Sequence, residues 1–467
     1  MKPIRIADIV KAVSGTLAWG DENALVTKVV TDSREAEEGT LFVPLIGERV
    51  NAHRFIPQVL EDGAACVFSS DTSVTGERGA CIYVEDTLQA LQDFAGWYRS
   101  QFSIPVIGIT GSVGKTTTKE MIAAVLEQKY KTVKTLGNLN SQIGVALMMF
   151  MIEENTEIAV FEMGISMPGE MERLVKIAKP STAVMTNIGV SHIGNLGSRE
   201  NICAEKGNII VGFTEEGTLY VCGNGDLKEL SRENIPYEKC AGGCRTIYYG
   251  TEHEDVFFGN GICTATKGQS FRFHYPEGEE TVELSVFGIH NVNNAIVSLA
   301  LGLQFGVPLE ASKRALKEYE PIAMRGVVRE VSGVHIVDDT YNASPDSINS
   351  NLEALFDYSP KGKKIAVLAD VLELGEQSKR LHEGIGAFIL QQEKKGRKLS
   401  LLVTIGEQAR YISDYVAAGS DIFVYHCESN EQAAEYVEKH MAAGDWILVK
   451  GSRGMHTDEV VKQLTKE

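Results

Sequence analysis

From Pro105 to Thr118 the chain reads Pro-Val-Ile-Gly-Ile-Thr-Gly-Ser-Val-Gly-Lys-Thr-Thr-Thr: an apolar run, a glycine turn, a lysine and a row of hydroxyls. The apolar run ending at Ile109 predicts a buried strand, and Met121, Ile122, Val125 and Leu126 recur at helical spacing beyond the turn. Gly111 and Gly114 let the backbone bend so that successive N–H groups and a helix N-terminus face one point, which suits phosphate oxygens. Lys115 then reaches terminal phosphates, and the Thr116 hydroxyl takes a Mg²⁺ position. The match is to the tail of the P-loop pattern, Gly-x-x-Gly-Lys-Ser/Thr, because the first glycine of the full pattern falls on Ile109. Thr110, Gly111, Ser112, Val113, Gly114, Lys115, Thr116 and Thr117 form the candidate nucleotide loop.

An α/β frame must position further groups around it. Glu157 to Met163 predicts a strand delivering Glu162 at its C-terminal end, and Ala183 to Ile188 a strand delivering Asn187 and then His192. Carboxyl ends of parallel strands share one edge, so Glu162 and His192 can flank the loop despite their distance in sequence. A carboxylate there suits a second Mg²⁺ contact and a neutral imidazole a further ligand; a helix-capping glutamate and a turn histidine are the plain alternatives. Lys206, in Cys203-Ala-Glu-Lys-Gly-Asn208, lies on a helix in the same region, where a solvated face is the usual reading. Between about 246 and 287, β runs at Asp255 to Phe258, Phe271 to Tyr275 and Thr281 to Phe287 predict antiparallel strands grafted on the parallel sheet. Gly288-Ile-His-Asn-Val-Asn-Asn-Ala295 opens a long apolar helix to about Phe305, its asparagines placed to cap the helix or read a base.

Before residue 103, β runs at Val26 to Val30, Leu41 to Val43, Ala65 to Phe68 and Cys81 to Val84 alternate with helical ones. That predicts a small α/β unit, in which Ser33 and Arg34, beside a turn, either bind an anion or stay solvated. After 322, strands at Val334 to Val337, Lys364 to Leu368, Leu401 to Ile405, Ile422 to Tyr425 and Trp446 to Val449 predict βαβ units. Polar clusters at Asp338 to Asp346 and Lys450 to Gly454 follow two of these strands, at the edge where ligands bind. A chain of 467 residues exceeds one compact core. The expected fold is therefore α/β with three domains. These are a small N-terminal α/β domain (1–102), a central P-loop parallel-sheet domain with antiparallel additions (103–322) and a C-terminal Rossmann-like domain (323–467).

A net charge of -18 excludes broad binding to nucleic acid or anionic membrane, so anionic ligands must be met locally. Met1-Lys-Pro-Ile-Arg-Ile-Ala-Asp8 has no signal-like apolar core, and no run of eighteen apolar residues occurs, so a cytoplasmic protein is expected. Eight scattered cysteines suggest free thiols, and Cys240-Ala-Gly-Gly-Cys244 lacks the two further ligands a zinc knuckle needs.

Taken together, the motifs resemble the Mur ligases, ATP-dependent amide-bond-forming enzymes of peptidoglycan assembly, and among them the type that adds D-alanyl-D-alanine. The resemblance rests on Thr31-Asp-Ser-Arg34, Gly47-Glu-Arg49, Gly108 to Thr116, Gly137-Asn-Leu-Asn140, Glu162-Met-Gly164, Asn187 to His192 and Ala204-Glu-Lys206. It continues through His290 to Asn294, Met324-Arg325, Asp338 to Asn342, Leu372-Glu-Leu-Gly375 and Lys450 to Met455. The stretch Tyr341 to Pro345 and the terminal Lys-Gly-Ser-Arg-Gly-Met separate it from the folylpolyglutamate synthases, which share the architecture. The resemblance implies ATP and two Mg²⁺ ions, with Lys115 on the phosphates, Thr116 and Glu162 on the first ion, and His192 with a carbamylated Lys206 on the second. It implies Asn291, Asn294, Arg325 and Asp339 on the nucleotide, Asn342 near acyl transfer, Ser33, Arg34 and Gly47 toward the UDP end, and Asn138 and Asn140 on the sugar-peptide. The substrates implied are UDP-N-acetylmuramoyl-tripeptide and D-alanyl-D-alanine, joined through an acyl phosphate by a monomeric enzyme. Ser141, Ala146 and Cys222 to Asp226 depart from the family's usual residues. A differently specific ligase of the superfamily, or a nucleotide-binding switch without catalysis, are the alternatives.

Overall fold

The computed structural model describes residues 1–47, 50–213, 215–252, 255–264, 268–357 and 362–466. Strand Val106–Thr110, buried along its whole length, lies inside a nine-stranded sheet. Ile158–Glu162 and then Thr132–Lys134 lie on one side of it. Thr182–Met185, Gly217–Cys222, Cys244–Gly250, Phe257–Thr264, Gln269–Tyr275 and Gly278–Leu284 follow on the other. The chain thus fills one side of Val106–Thr110 and then the other, and such a reversal leaves a crevice at the strand's carboxyl end. Register brings the chemistry there: Ile109 lies opposite Glu162, and Thr110 opposite Met185.

The antiparallel addition lies where the pattern predicts it, as Phe257–Thr264, Gln269–Tyr275 and Gly278–Leu284. Phe257–Thr264 pairs parallel with Cys244–Gly250, and only the two hairpin pairings beyond it are antiparallel. Gly217–Cys222 and Cys244–Gly250 extend the parallel sheet where the sequence reading has no strand; the first is almost wholly buried and the second alternates only in part, so neither carries a clean period-2 pattern.

The N-terminal five-stranded sheet runs Thr16–Trp19, Ala80–Tyr83, Cys66–Ser69, Thr40–Phe42, Lys28–Val30. The single β run Val26 to Val30 is two strands in space. Leu25–Val26 pairs with Ile4–Arg5, and Lys28–Val30 with Thr40–Phe42, because the Thr27 N–H donates to the Gly39 carbonyl. Helix Thr87–Arg99, capped by the Asp86 carboxylate, ties this region to the large sheet. Phe94 and Tyr98 pack on Phe150 with ring centroids 4.9 and 5.3 Å apart, and buried Arg99 donates to the carbonyls of Ala178, Phe102 and Ile104.

The third sheet has the order Val327–Val331, Val334–Asp338, Trp446–Lys450, Lys364–Ala369, Leu401–Ile405, Phe423–Cys427. All its pairings are parallel except the first, an edge hairpin absent from the sequence reading. The carboxyl ends of Val334–Asp338, Trp446–Lys450 and Lys364–Ala369 face the crevice of the nine-stranded sheet. Among the described residues no helix is long and apolar enough to cross a membrane, and all eight cysteines are free thiols.

Candidate active site

The loop after Val106–Thr110 turns as its glycines require. Gly111 has φ 144°, and a Cβ there would stand 2.0 Å from the Thr186 hydroxyl; Gly114 has φ 86° and starts helix Lys115–Leu126. The Ser112 and Val113 N–H groups donate to the Asn187 side-chain oxygen at 3.1 and 2.7 Å, and Thr186 donates to the Val113 carbonyl at 2.6 Å. The loop is therefore braced from behind by the next strand end, while the first helical N–H groups stay without intrahelical partners. Lys115 Nζ donates to the Gly111 carbonyl at 2.9 Å, and burial pulls its pKa below the ordinary lysine value.

Glu162 is 2% exposed. One carboxylate oxygen accepts from the Thr116 hydroxyl at 2.8 Å and the other from the Asn140 amide at 2.7 Å. Its own N–H donates to Thr135 Oγ1 at 2.9 Å, and Thr135's carbonyl accepts from buried Lys119 Nζ at 2.7 Å. Neither oxygen of Glu162 meets a cation among the described residues. Asn140, expected on the sugar-peptide, thus commits its amide to this carboxylate.

His192, in a left-handed conformation at φ 62°, places Nδ1 2.9 Å from a Glu373 carboxylate oxygen. Burial, helped by Lys206 and Lys115 and opposed by Glu373, holds the imidazole below its usual pKa, leaving it neutral at pH 7. Lys206 is 1% exposed on helix Arg199–Gly207. Burial, and next the charge of Lys115, drive its amine well below the ordinary lysine range, and Glu205, Glu170 and Glu162 oppose the fall.

The facing wall comes from helix Ile289–Gln304 and the third sheet. Asn294 accepts from Thr118 at 2.9 Å and donates to Asn291 at 3.1 Å, and Asn291 donates to the Phe287 carbonyl at 2.7 Å, so Asn294 is tied to the loop's helix and neither side chain caps its own. Arg325 stacks 3.9 Å from the Tyr341 ring centroid. Asp339 accepts from Lys450 Nζ at 2.5 Å and from Asn351, and the same ammonium donates to the Asn342 carbonyl at 2.9 Å. The sequence places Lys450 in a polar cluster at a strand's carboxyl end but does not show its partners, because a buried lysine cannot be told from a solvated one by type.

His290 also lines this wall, with Nδ1 shut off from water and unpartnered. Burial pulls it to about 4 from 6.5, Asp339 opposing and Lys450 assisting. Between those values the unfolded chain binds the proton and the native one does not, so stability is lost as pH falls through that window. His290→Gln is expected to flatten the acid loss by up to about 2 kcal/mol at pH 5. Denaturant unfolding at pH 7 and pH 5 checks this, and equal losses in both proteins would refute it.

These groups line one cleft of about 500 Å³. Ser112 to Thr117, Asn138, Asn140, Glu162, His192, Asn291, Asn294, Arg325, Asp339 and Asn342 all reach it. Thr110, Gly111 and Lys206 lie behind its surface. Ser33, Arg34 and Gly47 are outside it: Arg34 is mostly exposed and paired to Asp32, whose carboxyl it holds at about 2. Glu48 and Arg49 lie outside the described residues.

Residues 109–302 match the Mur ligase middle domain, and residues 325–453 the Mur ligase, glutamate ligase domain. UDP-N-acetylmuramoyl-tripeptide--D-alanyl-D-alanine ligase of Bacillus subtilis is 38% identical over 98% of both chains. The chain belongs to the Mur ligase family. Among solved Mur ligases, a MurF structure from Acinetobacter baumannii superposes with TM-score 0.88 at 27% identity, covering all of both chains. The Thermotoga maritima MurF in complex with ADP superposes at TM-score 0.83 and 30% identity, over 95% of this chain and 98% of that one. In this Mur ligase the first match encloses the loop, Glu162, His192 and Lys206, and the second runs from Arg325 to Arg453 on the facing wall.

Proposed function

We infer that this Mur ligase is an ATP-dependent, ADP-forming ligase that joins D-alanyl-D-alanine to UDP-N-acetylmuramoyl-tripeptide in peptidoglycan precursor synthesis. The observation that carries the reading is the convergence of a phosphate loop with Arg325, Asp339 and Asn342 in one cleft, in a chain that matches ligases of that name end to end. We take 1–102 as the UDP-substrate domain, 103–322 as the ATP domain and 323–467 as the C-terminal domain, working in the cytoplasm.

Glu162 tests the fit to Mg²⁺. It is a buried carboxylate whose oxygens meet only a hydroxyl and an amide, so a hard cation suits it. Among the described residues no three His, Cys, Asp or Glu side chains form a ready cage, which suits an ion that keeps water and phosphate ligands. Thr116 and Glu162 would hold one ion, and His192 with a carbamylated Lys206 a second. When bound, the ions draw charge from the transferring phosphoryl group.

The tripeptide carboxylate attacks the γ-phosphorus, its O–P bond forming as the bond to ADP breaks. The dipeptide amine then attacks the acyl carbon, phosphate leaves and the amine's proton is lost. Lys115 and the first N–H groups of helix Lys115–Leu126 hold the phosphates through the first step, and Asn342 lies beside the second. Asn187 keeps the loop N–H groups in line, so Asn187→Ala is expected to weaken a non-hydrolysable ATP analogue about tenfold by calorimetry. An unchanged Kd would refute that role.

Phosphate release from ATP, with and without D-alanyl-D-alanine, tests the whole reading when paired with mass spectrometry. Dipeptide-dependent release with a UDP-pentapeptide product is expected. Release that ignores the dipeptide would overturn the acceptor assignment.

A further inference from the structure

Asp346, at the start of helix Pro345–Asp357, reaches across from the third sheet to the loop that follows Thr182–Met185. Its Oδ2 accepts from the Val190 N–H at 2.9 Å. Residue 189 is a glycine pressed against the same carboxylate: a Cβ there would stand 2.1 Å from Oδ2. The Gly189 N–H donates to Ser112 Oγ at 2.9 Å, and two residues back Asn187 accepts from the Ser112 and Val113 N–H groups. Arg199 donates to the Ile188 carbonyl at 3.0 Å and pairs with Asp226, fixing the segment from its other side.

We propose that Asp346 is a positioning residue that couples seating of the C-terminal sheet to the shape of the phosphate loop. The connection is short: Asp346 to the Val190 N–H, Gly189 to Ser112, Asn187 to Ser112 and Val113. With the third sheet in place, residues 187–190 are held and the loop they brace keeps its shape. When it lifts away, the Val190 N–H loses its acceptor and the brace behind the loop slackens. ATP is then gripped for transfer only when the wall carrying Asn342 and Arg325 is present. This deepens the ligase reading and rests on it for the catalytic consequence, though not for the contact itself.

Two variants break the contact from opposite sides. Asp346→Ala removes the acceptor. Gly189→Ala inserts a methyl where the carboxylate sits, and Gly189 does not have the positive φ that would strain an alanine. Each is expected to slow dipeptide-dependent phosphate release about 100-fold, mainly in kcat. Asp346→Asn, which keeps an acceptor, should recover most of the rate. The double variant should be no slower than Asp346→Ala, because the methyl has nothing left to displace.

Hydrogen exchange on the full chain without ligands supplies the second readout. In Asp346→Ala, protection should fall over residues 187–190 and 112–113 while helix Pro345–Asp357 keeps its own. Losses that multiply in the double variant, or unchanged exchange at 187–190, would overturn the coupling. A wild-type protein with no dipeptide-dependent release would overturn the ligase reading instead, and exchange would still decide the coupling.

Discussion

Lys206→Ala is expected to lose about a thousandfold in ligation rate while still binding ATP. The argument starts from burial: the amine is 1% exposed, and desolvation, with the Lys115 charge behind it, holds it well below the ordinary lysine range. Burial thus favours the uncharged amine at this position beside the phosphate loop. A neutral amine is the form that adds carbon dioxide. Its nitrogen would attack the carbon, a proton would be lost, and the side chain would become a carbamate with two oxygens. That conversion would turn a residue with no acceptor into a carboxylate in the same region as Glu162 and His192. Removing the amine would then remove that carboxylate, and the transferring charge would lose one of its partners. Short carboxylates such as acetate should restore part of the rate to Lys206→Ala, and wild-type enzyme should slow in buffer stripped of carbon dioxide. Full activity in the variant, or indifference to both treatments, would refute the carbamate.

Sequence made the loop and its flanking strands plain for a physical reason. The strand ends at Glu162 and Asn187 follow from apolar runs, and parallel strands deliver their carboxyl ends to one edge whatever the spacing between them. The third sheet was as readable, since its five parallel strands are continuous β runs. What sequence concealed is which polar residue faces which. The sequence does not show that Asn140 donates to Glu162 or that Asn294 accepts from Thr118. Lys119 and Lys450 carry the residue type most often found in water, yet each is buried on a backbone carbonyl that sets the site. Asp346 sits in a polar cluster, and only the meeting of two sheets shows that it touches Val190. Partners brought together by tertiary packing leave no local period, and the edge hairpin Val327–Val331 was missed for the related reason that its residues are only half buried.

Glu162→Gln tests the metal site by a change that keeps its shape. The carboxylate accepts from Thr116 and Asn140 at once, so both of its oxygens act as acceptors. Glutamine offers one acceptor and one donor. The Thr116 hydroxyl or the Asn140 amide must turn to meet the new N–H, and the side chain stays in place on the Thr135 and Lys119 supports beneath it. What disappears is the negative charge. In the native enzyme that charge is buried without a cation at hydrogen-bond distance, a costly arrangement that a bound Mg²⁺ would offset. The variant is therefore expected to melt at or above the wild-type Tm in the absence of Mg²⁺, because the uncompensated charge is gone. Its ligation rate should fall by about 100- to 1000-fold, and the Mg²⁺ concentration for half-maximal rate should rise. Glu162→Asp, which keeps the charge one methylene further back, should fall between the two in its Mg²⁺ requirement. Calorimetric melting and a Mg²⁺ titration of phosphate release read both effects. A variant that turns over normally at the wild-type Mg²⁺ requirement would remove Glu162 from the metal site, whereas a lower Tm would mean that the charge is matched within the protein itself.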